Sequence, residues 1–179
     1  MDNQSIKVLY VEDNPGDARL IQEMLKRGGY FRFELSSVDR LAEAVKRLEE
    51  EAFDVILLDL GLPDSQGLET LKRVRHKVPK LPIVVITGLA DDTLGMEAVR
   101  EGAQDYLIKG QFDGNLLIHS IRYSIARKEM EYKLREKLDE IERMNKLMVN
   151  RELQMEEMRK EMAKLKNRIG ELEGRRTGK

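Results

Sequence analysis

Between residues 6 and 109 two kinds of segment alternate without exception, and nothing else in the chain constrains its fold as strongly. "IKVLYVE", "FRFELSS", "FDVILLD", "LPIVVIT" and "QDYLIK" are short, rich in β-branched and aromatic residues, and bounded by Asp, Pro or Gly, which predicts five strands. Between them "GDARLIQEMLKRGG", "RLAEAVKRLEEE", "GLETLKRVRHK" and "DDTLGMEAVREG" repeat apolar residues at spacings of three and four, which predicts four amphipathic helices. Strict β–α alternation implies a doubly wound α/β domain, a five-stranded parallel sheet covered by helices on both faces. The third and fourth strands are nearly all apolar and belong at its centre.

In such a sheet ligands bind outside the carboxyl ends of the strands, so those ends can be read for chemistry. The stretch "VILLDLGLPDSQGLE" ends a buried strand on Asp59, a residue that would also serve as a simple turn cap. Asp59 is not isolated. The first strand ends on Glu12 and Asp13, the fourth on Thr87 and the fifth on Lys109, which places three acids, a hydroxyl and an ammonium on one rim. Clustered carboxylates repel one another and need a cation, and an oxygen-only donor set suits a hard divalent ion such as Mg²⁺, or Mn²⁺ in its place. Beside such an ion Asp59 becomes a candidate nucleophile toward phosphorus, with Lys109 and Thr87 contacting phosphoryl oxygens.

The residues "LYVEDNPGDARL", "DVILLDLGLPDSQGLE", "PIVVITG" and "AQDYLIKG" resemble the receiver domain of two-component response regulators over roughly residues 5–126, which makes residues 1–126 the expected receiver domain. That resemblance implies a flavodoxin-like fold in which Asp59 accepts a phosphoryl group from a sensor histidine kinase or phosphotransfer protein. It implies that Asp13, Glu12, Asp59 and the carbonyl of Gly61 hold Mg²⁺. Thr87 would be the switch hydroxyl, Tyr106 the aromatic that moves with it, and Lys109 the cation on the phosphoryl group. Such a protein is a regulator rather than an enzyme, promoting only its own phosphorylation and dephosphorylation. Gly110 stands where many receivers carry a proline after the lysine. His76 and His119 lie away from the strand ends and read as ordinary helical residues.

From about Asn115 to Glu173 there is no proline and one glycine, Gly170, so a single helix can run throughout, its first turns packing on the sheet through Leu117, Ile118, Ile121 and Ile125. Beyond Arg127 the apolar residues follow a heptad: Ile141, Met144, Met148, Met155, Met158, Met162, Leu165, Ile169 and Leu172 form one a/d seam, with Arg151 at a d position. Leu134, Leu138 and Ile141 fit a second register, and the two consecutive steps of three from 138 to 144 have the spacing of a stammer. Residues 127–179 are expected to form a parallel dimeric coiled coil, and they resemble the signalling helices that join receivers to downstream effector domains.

Net charge is −1, with 16 basic against 21 acidic residues in 1–126 and 16 against 12 in 127–179, which gives no footprint for nucleic acid. The absence of cysteine excludes disulfides and thiolate metal sites. No apolar run reaches membrane length, and a cytoplasmic protein is expected. Two other functions compete with the phosphorylated switch. One is a phosphate-independent scaffold acting through the coiled coil. The other is a small phosphatase or nucleotide-binding enzyme, against which stand the lack of both glycine-rich phosphate motifs and of a second acid two residues after Asp59.

Overall fold

The computed structural model describes residues 5–27, 29, 31–88 and 92–176, with Asp92 and residues 171–176 described by their backbone alone. The chain forms two compact units, Met1–Tyr132 and Lys133–Lys179.

In the first unit the strands β1 (Ile6–Val11), β2 (Phe33–Val38) and β3 (Val55–Asp59) alternate with helices α1 (Pro15–Lys26) and α2 (Leu41–Glu50). A short ribbon, β4 (Gly61–Leu62) and β5 (Ser65–Gln66), precedes α3 (Leu68–Lys77). Then come β6 (Ile83–Thr87), α4 (Asp92–Arg100), β7 (Asp105–Ile108) and α5 (Gly114–Arg176). All five long strands are parallel, in the order β2-β1-β3-β6-β7. The doubly wound five-stranded sheet and the long final helix are those expected from the sequence.

Period-two alternation divides the sheet's side chains between two cores. Leu9, Val11, Ile56, Leu58 and Val85 face α2, α3 and α4, where Leu41, Ala44, Leu71, Val74 and Ala98 close the layer. Val8, Tyr10, Val55, Leu57, Val84 and Ile86 face α1 and α5 and meet Ile21, Leu25, Leu117 and Ile121. Strands β1, β3 and β6 are buried on both faces, so every side chain from Val55 to Leu58 is fully buried. The chain leaves β1 toward β2 on one side and later enters β3 on the other, so the sheet's switch point lies between β1 and β3. Their carboxyl ends carry the acids.

The β4–β5 ribbon is a feature that strand periodicity does not announce. Gly61 pairs with Gln66 and Leu62 with Ser65 across the Pro63–Asp64 turn, and Gly67 N–H donates to the Leu60 carbonyl at 2.8 Å. The segment after Asp59 is therefore a closed hairpin, which fixes the backbone next to the acid.

In the second unit α5 continues as one helix to Arg176, with intrahelical ion pairs Lys137–Glu140 and Lys160–Glu156 at 2.8 and 2.9 Å. No helix among the described residues is long and apolar enough to cross a membrane.

Candidate functional site: an acid cluster closed by Lys109

The carboxylates of Glu12, Asp13 and Asp59 each bring an oxygen within 4.8 Å of the others. Lys109, one residue beyond β7, reaches into them. Its Nζ lies 2.6 Å from Asp59 Oδ2, 2.7 Å from Glu12 Oε2 and 3.0 Å from Asp17 Oδ2. Burial alone would lower the lysine pKa, but the bonds to Asp59, Glu12 and Asp17 outweigh it and hold the ammonium charged well above its usual range. The Glu12 side chain is fully buried. Burial pushes its carboxyl up, against the opposing bonds from Lys109 and Tyr10.

Local structure aims each group. Glu12 lies two residues after Tyr10 on the same side of the chain, and the Tyr10 hydroxyl donates to Glu12 Oε2 at 2.8 Å. Burial and the neighbouring Glu12 charge push that phenol up, so it remains a donor. The other Glu12 oxygen accepts the Asn14 N–H at 3.1 Å. Asn14 caps α1, its Oδ1 accepting from Gly16 at 2.8 Å and Asp17 at 3.4 Å, and Pro15 opens the helix where its missing N–H costs nothing. Asp59 Oδ1 accepts the Gly61 N–H at 3.0 Å, leaving Oδ2 to Lys109. Lys109 N–H donates to the Thr87 carbonyl at 2.7 Å, and Gly110 then turns the chain at a φ of 80°, a region open to glycine. No cis peptide occurs among the described residues, so the loop after Lys109 turns by glycine φ.

Thr87 is buried at the end of β6 with its hydroxyl donating to the Gly88 carbonyl at 3.0 Å rather than to the acids. Tyr106 lies half-buried on β7, its ring against Gly95 of α4 where a Cβ would collide with it. Glycine inside a helix costs about 1 kcal/mol against alanine, and here it gives the ring its place. Gly61 stands beside Asp59 in the ribbon with its N–H already used. His76 and His119 are exposed, the latter stacked on Tyr123, and neither joins the rim.

The structure adds three residues that the strand-end reading omits. Asp17 is the third carboxylate on Lys109; its signal was the Asn-Pro helix start, which places Asp17 in the first turn above the rim. Tyr10 was legible as the residue two before Glu12, sharing its side of β1. Asp64 had no local signal: its two oxygens accept the Leu41 and Ala42 N–H groups at 2.9 Å each, capping α2 from a loop 22 residues away.

The second unit carries a different feature. Ile141, Met144, Met148, Met155, Met158, Met162, Leu165 and Ile169 are all exposed in the single chain, and the side chain of Leu172 lies outside the described residues. Leu147, Val149 and Leu153 are also exposed, off the a/d stripe.

Comparison with known proteins agrees with this geometry. Residues 8–122 match the response regulator receiver domain family. The transcriptional regulatory protein BasR of Escherichia coli K12 is 36% identical over 107 residues, 58% of this chain and 46% of that protein. The transcriptional regulatory protein ZraR of Klebsiella oxytoca is 28% identical over 109 residues, 61% of this chain and 24% of that protein. This chain thus spans about a quarter of ZraR and under half of BasR. Among solved structures, a response regulator from Chloroflexus aurantiacus superposes with a TM-score of 0.62 at 26% identity, covering 69% of this chain and 99% of that one. NtrX from Brucella abortus shares the fold at a TM-score of 0.65 and 23% identity, over 74% of this chain and 29% of that one. With the acids, Lys109 and the parallel sheet in place, the chain belongs to the response regulator receiver family of two-component signalling.

Proposed function

We propose that this chain is a phosphorylation-controlled switch in which Asp59 accepts a phosphoryl group from a sensor histidine kinase or phosphotransfer protein. The single observation that carries the reading is the Lys109 ammonium 2.6 Å from Asp59 Oδ2, beside Glu12 and Asp13. A nucleophilic carboxylate, a fixed cation and spare acid oxygens are what phosphoryl transfer requires, because its catalysis is mostly positioning and charge neutralisation.

The all-oxygen donor set fits Mg²⁺ or Mn²⁺, held by Asp13, Asp59, the Gly61 carbonyl and, in support, Glu12. When bound, the ion neutralises phosphoryl charge. Asp59 supplies the attacking oxygen, the Gly61 N–H holds its other oxygen, and Lys109 pairs with the new phosphoryl oxygens. Thr87 then turns its hydroxyl away from Gly88 toward the phosphoryl group, and Tyr106 shifts against Gly95 in response. Residues 1–126 act as the receiver and residues 127–179 as its output, a parallel dimeric coiled coil that passes the change to an effector. The chain acts as a regulator and turns over no separate substrate.

Incubation with Mg²⁺ and acetyl phosphate should add one phosphoryl group to the wild type by intact mass and none to Asp59→Asn. A variant that is still labelled removes Asp59 from its role.

A further inference from the structure

The three N–H bonds of the Lys109 ammonium meet three carboxylates, so each of its donors has an acceptor. Two of these acids, Glu12 and Asp59, belong to the cluster at the strand ends. The third, Asp17, comes from α1 and is the most exposed of the three, its side chain 36% accessible against 13% for Asp59 and 0% for Glu12.

The start of α1 leaves Asp17 available for this contact. An acid at the third helical position commonly folds back to the N–H of the cap residue. Here the Asn14 N–H is already taken by Glu12 Oε1, and the Asp17 N–H is itself directed to Asn14 Oδ1. The Asp17 carboxylate therefore has no capping role and reaches across to Lys109 at 3.0 Å.

We infer that Asp17 is a positioning residue, an outer tether that holds Lys109 over the unphosphorylated acceptor and competes with an incoming phosphoryl group for it. This rests on the phosphoacceptor role proposed for Asp59. When Asp59 attacks acetyl phosphate, an Asp59 O–P bond forms and the acetyl O–P bond breaks, acetate leaving with the electron pair. The attacking oxygen becomes the bridging oxygen of a mixed anhydride and a poor acceptor, while the dianionic phosphoryl group offers Lys109 better ones. To follow that charge the ammonium must loosen its bond to Asp17. The Asp17 charge also repels the phosphodonor dianion during approach. Both effects slow phosphorylation and favour the resting state.

Asp17→Asn should therefore be phosphorylated about two- to fivefold faster than the wild type by acetyl phosphate and Mg²⁺, the range set by a partly exposed ion pair. Glu23→Gln, the same charge change farther along α1, should leave the rate unaltered. In ¹⁵N-lysine spectra recorded without phosphodonor, the Lys109 ammonium should be protected from exchange in the wild type and lose protection in Asp17→Asn. A purely structural role for Asp17 moves neither the rate upward nor that signal. If the wild type is labelled at Asp59 while Asp17→Asn reacts no faster, or if Glu23→Gln is accelerated equally, the tether is rejected and the phosphoacceptor stands. Retained protection of Lys109 in Asp17→Asn likewise rejects it. Labelling that survives Asp59→Asn overturns the phosphoacceptor itself.

Discussion

Lys109 is the only cation within salt-bridge distance of Glu12, Asp17 and Asp59 among the described residues. Removing it should have two opposite effects. In metal-free buffer, Lys109→Ala leaves the buried Glu12 carboxylate without a counter-charge and should cost about 2 kcal/mol by denaturant titration, less than a fully buried pair because Lys109 keeps some water. With Mg²⁺ present the same variant loses the ammonium that competes for the acid oxygens, so Mg²⁺ affinity should rise and stability recover. Unchanged Mg²⁺ binding in Lys109→Ala would place the ion away from this cluster. The strand-end acids, Thr87 and Lys109 were legible because parallel-sheet topology brings carboxyl ends together whatever the loops do. Asp17 was harder, since its role depends on the Asn14 N–H being occupied by Glu12, a fact of three dimensions.

Asp64 shows how one element is held by another. The N-cap residue of α2, Arg40, makes no capping bond with its side chain, and Asp64 of the β4–β5 turn takes that place. Asp64→Ala should destabilise the domain by about 1 kcal/mol, the usual worth of a cap. Partial burial alone would raise the Asp64 pKa, but the Ala42 and Leu41 N–H groups hold it below its ordinary 3.8. Between that lowered value and 3.8 the unfolded chain binds more protons than the folded one, so the cap's contribution is complete above 3.8 and fades as pH falls through the folded value. The gap between wild type and Asp64→Ala should accordingly close in acid, and a constant gap would assign the loss to packing. The five long strands and the helices were readable from periodicity because each buries a regular face. The two-residue strands β4 and β5 were not, because a period needs more residues than they contain, and their pairing follows from the Pro63–Asp64 turn.

At the scale of the molecule, the residues from Ile141 to Ile169 leave an exposed apolar stripe along a single helix, and contiguous exposed apolar surface of this kind marks an interaction site. The a/d spacing of that stripe was legible in the sequence, because a heptad is a local period, whereas what covers it is not a property of local spacing. If two copies pair in parallel, Met155→Cys should form an intermolecular disulfide, while Glu157→Cys, at an outward c position, should cross-link poorly. Equal yields would reject the parallel seam. Met144, Met148, Met155, Met158 and Met162 let the same stripe report whether it is covered. Oxidation turns each thioether into a polar sulfoxide, and exposure governs which sulfur reacts. In the single chain these five are 43–67% exposed, comparable to Met96 at 51% and Met130 at 70%. A brief peroxide pulse followed by peptide mass analysis should spare the five in a paired protein while marking Met96 and Met130; uniform marking would mean unpaired helices. If the helix pairs through this stripe, a chain oxidised beforehand would carry polar sulfoxides into the contact, so oxidant stress would weaken the pairing while leaving the methionine-free acid cluster chemically intact.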